Sequence, residues 1–116
     1  MNNPLEVLES QYREYGEAFG KAVKRGDSKA SNSNYKKGAT IARKLKAQGK
    51  EGEAVLRRLM RDRSDAVAVW AAADSLPFAE ADALAVLDAI ARKNGLIPFD
   101  ARIIAEQWRA GELKIL

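Results

Sequence analysis

The chain has 116 residues, 47% of them apolar, with no cysteine, no histidine and a formal net charge of +4. That length suits one ordinary core and not two, so residues 1–116 are expected to form a single domain. Lack of cysteine excludes disulfide and thiol chemistry; lack of histidine removes the commonest general base, the usual nucleophile triads and most zinc sites.

Much of the apolar content is alanine, β-branched residues are sparse, and no stretch alternates with period two for long. Those features predict an all-α chain. Met1 to Glu6 has neither a basic nor an apolar region of the signal-peptide kind. No apolar run approaches the roughly 20 residues of a membrane span. The expectation is a cytoplasmic protein with no membrane partner.

The first helix is predicted from Leu5 to Arg25. Leu5, Leu8, Tyr12, Tyr15, Phe19 and Val23 recur at three- and four-residue intervals and form one apolar stripe. Gly26 is the expected stop, with Lys24 and Arg25 complementing the helix dipole, and Asp27 or Ser28 can cap the next helix. The run Ser28 to Asn34 is poor in helix formers, so the first turns of the second helix are expected to fray or to be loop. From Asn34 the pattern is clear, with Asn34, Gly38, Ile41 and Leu45 on one face, until Gln48-Gly49 ends it.

Residues Glu51 to Leu76 read as two short helices in a tight αα-hairpin. Leu56 and Leu59 close the first, Asp62 to Asp65 supply turn and cap chemistry, and Val67, Trp70, Ala71 and Leu76 open the second. The small run Ala71-Ala72-Ala73 allows close helix approach. A lone pair of this kind cannot bury both faces and calls for neighbours. Leu76-Pro77-Phe78 breaks the chain. A fifth helix is predicted over about residues 79–93, with Leu84, Leu87, Ile90 and Ala91 facing the core and Asn94-Gly95 as its stop. A sixth carries Pro98 in its first turn, then Ala101, Ile104, Ala105 and Trp108, and stops at Gly111. Leu113, Ile115 and Leu116 in the tail need cover.

Three segments carry a resemblance: VxxWAAxxxLP from Val67 to Pro77, WRAG from Trp108 to Gly111, and GDxKxxN from Gly26 to Asn32. Together they resemble a small bacterial HEAT-like helical family catalogued as a domain of unknown function. The resemblance implies a helical-repeat fold and no established activity. Where the general HEAT pattern places Val-Arg, this chain has Val67-Ala68. Pattern and resemblance together predict a short HEAT- or tetratricopeptide-like solenoid of about six helices, a scaffold that usually presents a binding surface.

No catalytic residue, metal ligand or cofactor site is expected. The acid pairs Glu51/Glu53, Asp62/Asp65 and Glu80/Asp82 all fall in first turns or inter-helix turns, where capping accounts for them. Asn34 is the one polar residue on its helix face. Its expected structural role is to bond the backbone of a neighbouring helix; the other reading is a ligand-facing amide. Trp70 and Trp108 lie on core stripes and read as packing anchors. Tyr35 lies off its core stripe and is expected to be exposed.

Charge is uneven. Residues 27–50 carry seven basic groups against Asp27 alone, a local +6, whereas residues 1–26 and 51–65 are balanced. On a helical wheel Lys36, Arg43 and Lys50 cluster, flanked by Lys37 with Lys44 and by Lys46. Such a face is either merely solvated, a complement to an acidic protein surface, or a track for a phosphate backbone. Tyr35 is the only aromatic beside it, which gives little for base stacking. The functional expectation is a non-enzymatic protein-interaction module in a bacterial cytoplasm, of immunity or regulatory type. The alternative is a nucleic-acid-binding domain using the basic 36–50 helix, and a third reading is an enzyme built on carboxylates.

Overall fold

Local signals place the helix ends, and packing joins them. The structure, a computed structural model, describes residues 3–115, which fold into six α-helices: α1 (Pro4–Lys24), α2 (Ser28–Lys46), α3 (Lys50–Leu59), α4 (Asp65–Ser75), α5 (Glu80–Ala91) and α6 (Leu96–Arg109). Leu116 of the tail, together with Met1 and Asn2, lies outside the described residues.

Asn3 caps α1 by accepting from the Leu5 amide at 2.8 Å, and Pro4 fills the first turn, where no donor is needed. The end of α1 is a Schellman turn. Asp27 N–H donates to the Ala22 carbonyl and Gly26 N–H to that of Val23. Asp27 then accepts from the Ala30 amide at 3.0 Å and so caps α2 as well.

That cap corrects one expectation. Ser28 to Asn34 is helical from its first residue rather than frayed or loop. The polar side chains that usually compete with a helix are satisfied inside this one. The Ser31 hydroxyl bonds the Ser28 carbonyl, and Asn34 Nδ2 donates to the Ala30 carbonyl at 2.9 Å. Asn34 thus serves its own helix, not a neighbouring one, and is half-buried.

The helices form a compact bundle around α4, which packs against α1, α3, α5 and α6. Its residues Ala66, Val67, Ala68, Val69, Ala71, Ala72 and Ser75 are all buried, leaving it apolar on nearly every side. α1 also reaches α3 and α6, and α2 lies along α1. The core joins Tyr12, Leu45, Leu56, Leu59, Val67, Leu76 and Leu87, all essentially inaccessible to water. Leu113 and Ile115 of the tail pack against this core.

Small residues set the closest approaches. A Cβ at Gly52 would fall on the Leu45 carbonyl, so α2 and α3 can turn back on each other only with glycine there. A Cβ at Gly38 would meet the six-membered ring of Trp70, which lies across α2 at this point. Trp70 is half-buried, edge-on to Tyr12 with ring centroids 5.7 Å apart and tilted against Phe19 at 5.1 Å. It anchors α4 to α1 and α2 together.

Polar contacts tie the remaining pairs. Arg13 reaches across to Asp62, Arg58 chelates Glu9, and Arg109 chelates Asp88. The Trp108 indole N–H donates to Glu80 at 2.7 Å, joining α6 to the first turn of α5.

Candidate interaction surface

The basic segment singled out by charge does not form one helix. α2 ends at Lys46, Ala47 to Gly49 make a turn, and Lys50 opens α3. Gly49 has φ of +63°, which stops α2 from continuing. Lys50 is therefore exposed but sits on a different helix from Lys36 and Arg43.

Lys36, Lys37, Arg43 and Lys44 are all exposed on α2, and none makes an ion pair with a described residue. Thr40 links two of them, accepting from Arg43 Nη2 at 3.1 Å and donating to the Lys36 carbonyl at 3.2 Å. The ammonium of Lys37 lies 5.7 Å from the centre of the Tyr15 ring, a cation–π contact between α2 and α1. Lys46 departs from this face. It is half-buried, with its Nζ 3.7 Å from an oxygen of Asp74.

Tyr35 is 57% exposed beside the lysines. Its ring meets Trp70 edge-on at 6.1 Å and Phe19 at 6.3 Å, so it is the open end of an aromatic cluster that begins at buried Tyr12. What α2 offers is a cationic strip with a supported aromatic side chain at one end. Trp108, expected as a packing anchor, is half-buried and contacts the core from the rim.

Lys46 belongs to a polar triad inside the bundle. The Tyr12 hydroxyl, fully buried, donates to Asp74 Oδ2 at 2.7 Å, while Lys46 faces the other carboxylate oxygen. Burial pushes the Asp74 carboxyl above its ordinary range, although the bonds from Tyr12 and Lys46 oppose it. Burial, then the neighbouring Asp74, raises the Tyr12 phenol well above its own. This triad joins α1, α2 and α4 and fits a structural role.

The acid pairs sit in first turns or inter-helix turns as expected, although neither α3 nor α5 has a side-chain cap. Asp62 accepts from the Ser64 amide at 2.9 Å, Ser64 caps α4 by accepting from the Val67 amide, and Asp65 pairs with Lys93. Burial alone would raise Asp62, but Arg13 and the Ser64 amide hold it below the usual carboxylate range. Among the described residues no three acidic side chains converge as a metal site, and no helix is long and apolar enough to cross a membrane.

One surface feature escaped sequence reasoning. A half-open groove of about 740 Å³ lies where the end of α1 meets the first turns of α4 and α6. Its residues come from three separated segments, so no linear pattern gathers them.

Comparison of the chain with protein-family models, with curated proteins and with solved structures finds no match in any of the three.

Proposed function

We propose that the protein is a non-enzymatic interaction module that binds an acidic protein surface in a bacterial cytoplasm. Its six helices are read as a short HEAT- or tetratricopeptide-like stack, in keeping with the family resemblance of the Val67–Pro77 and Trp108–Gly111 segments. The observation that carries this reading is the cationic strip of α2. Lys36, Lys37, Arg43 and Lys44 are held on one helix with no counterion among the described residues, next to an exposed tyrosine braced by Phe19 and Trp70. A strip of this kind steers an oppositely charged partner and fixes its register, and Tyr35 supplies the rigid aromatic contact that binding surfaces favour. The polar groups with chemical potential, Tyr12 and Asp74, are bonded to each other within the fold and line neither the groove at the end of α1 nor the shallower one beside Arg58.

The test is the triple variant Lys36→Glu, Arg43→Glu, Lys44→Glu, with Lys50 left intact. Surface charges add little to stability, so the variant should keep its helical spectrum and unfolding midpoint. Proteins of the source cytoplasm retained by the immobilised parent should be acidic, and the variant should lose them. The parent should bind a duplex DNA negligibly at physiological salt. Sub-micromolar duplex affinity, falling as salt rises, would replace this reading with a nucleic-acid-binding one.

A further inference from the structure

The groove between α1, α4 and α6 has two acidic residues in its wall, and each already has a cationic partner, Arg13 being shared between Glu17 and Asp62. Glu17 pairs with Arg13 at 3.1 Å, and Asp65 pairs with Lys93 at 2.9 Å. Three cations in the same wall, Lys21, Lys24 and Arg63, are exposed or half-exposed and make no ion pair with a described residue. The first turns of α4 and α6 also line it, and their amide dipoles add to the positive potential.

The floor has the opposite character. Ile97 and Pro98 are buried there, Val23 is half-buried, and Leu96 stands at the lip with 62% of its surface exposed. One turn further along α6, Phe99 is 49% exposed, with the Arg102 guanidinium 5.3 Å from its ring centre. Adjacent exposed apolar side chains rimmed by charge are what interaction sites present. The groove volume of about 740 Å³ falls within the roughly 300–1,000 Å³ of ligand pockets.

The geometry points to a second binding site: this groove takes a short acidic segment of a partner protein, with one apolar side chain set against Val23, Leu96 and Ile97. The carboxylates of that segment meet Lys21, Lys24 and Arg63. Charge complementarity selects the occupant, because Lys21 and Lys24 make no ion pair among the described residues and Arg63, though near Asp62, makes none either, while the apolar floor asks for more than a free anion. The inference rests on the reading of the chain as a protein-interaction module but is independent of the α2 strip.

The experiment pans a phage library of random dodecapeptides on the immobilised full chain. Enriched sequences should carry Asp or Glu around a Leu, Ile, Met or Phe. A fluorescein-labelled peptide of the enriched sequence is then titrated by anisotropy against the parent and three variants. Lys21→Glu with Lys24→Glu and Arg63→Glu should weaken binding by about tenfold or more. Leu96→Asn, a single exposed change that leaves the core untouched, should weaken it severalfold and serves if the triple variant folds poorly. The α2 triple variant should bind within about twofold of the parent.

No enrichment, or a consensus lacking acids, overturns the inference. So does loss of binding in the α2 variant but not in the groove variants, an outcome that leaves the α2 reading standing. Conversely, peptide binding that depends on the groove while partner capture ignores the α2 reversal would sink the α2 reading alone. Displacement of the peptide by inorganic phosphate, but not by chloride of equal ionic strength, would make the groove a small-anion site and also overturn the proposal.

Discussion

The indole of Trp70 rests on Gly38, so close that a methyl group there would overlap the ring. An alanine in an open helix is worth up to about 1 kcal/mol over glycine. At Gly38 the sign should reverse, with Gly38→Ala destabilising by about 1–3 kcal/mol as an overpacked contact. Gly52→Ala should cost more, because the obstacle is the Leu45 carbonyl and backbone yields less than a side chain. Urea unfolding measures both. A stabilised Gly38→Ala protein would mean that Trp70 swings away freely.

The Tyr12–Asp74 bond gives a pH signature. Burial holds the Asp74 pKa above its unfolded value of 3.8. The native state therefore keeps this proton at pH values where the unfolded chain has released it. The contribution is full below 3.8 and is lost as pH rises through the native pKa. Asp27, Asp62 and Asp88 are lowered instead, so their contributions are lost as pH falls through their native values. Subtracting the unfolding free energy of Asp74→Asn from that of the parent should isolate the first effect. The difference should decline with pH across the window above 3.8 and then level off. A difference that climbs there would contradict the assignment.

Tyr12→Phe removes the donor but keeps the buried ring. The carboxylate then has only Lys46 facing it in the triad, and the expected loss is about 1–3 kcal/mol at neutral pH. The decline attributed to Asp74 should extend to higher pH in this variant, because a bond to the charged form is gone.

Ser75 is the counter-case. Its hydroxyl is fully buried at the end of α4 and finds no hydrogen-bond partner among the described residues. Ser75→Ala is expected to be neutral or stabilising by about 1 kcal/mol, since it removes an unsatisfied polar atom and improves helix propensity. A loss above about 1 kcal/mol in thermal or urea unfolding would reveal a partner for the hydroxyl.

The two tryptophans should separate sharply. Trp70 contacts Tyr12, Phe19 and Tyr35 and bridges three helices, so Trp70→Ala should cost about 3–5 kcal/mol. Trp108→Phe keeps a ring at the rim and gives up one exposed bond to Glu80, so it should cost under about 1 kcal/mol. Equal losses would show that α6 is anchored as firmly as α4.

Helix content and most helix ends were legible in the chain because they depend on neighbours a few residues apart. Gly26, Gly49, Gly95 and Gly111 each end or separate helices with positive φ, and the stripe through Tyr12 faces inward as its spacing requires. The same locality explains Tyr35, whose place off the stripe left it exposed. Sequence reasoning failed where a distant residue decides the outcome. Gly38 was legible as part of the inner face of α2, but not that the Trp70 ring covers it. Asn34 is a local exception, since it bonds Ala30 one turn away on its own helix rather than a neighbour. Lys46 left the cationic strip for Asp74, an acid it approaches only after α2 and α4 have packed. Lys24 read as a dipole charge and Arg63 lay within a turn along the chain, and with Lys21 they became one rim only when α1, α4 and α6 converged. Periodicity is written in the sequence because helix geometry repeats every few residues. Which cation finds a counterion, and which is left facing solvent, is decided by distances that exist only in the packed molecule.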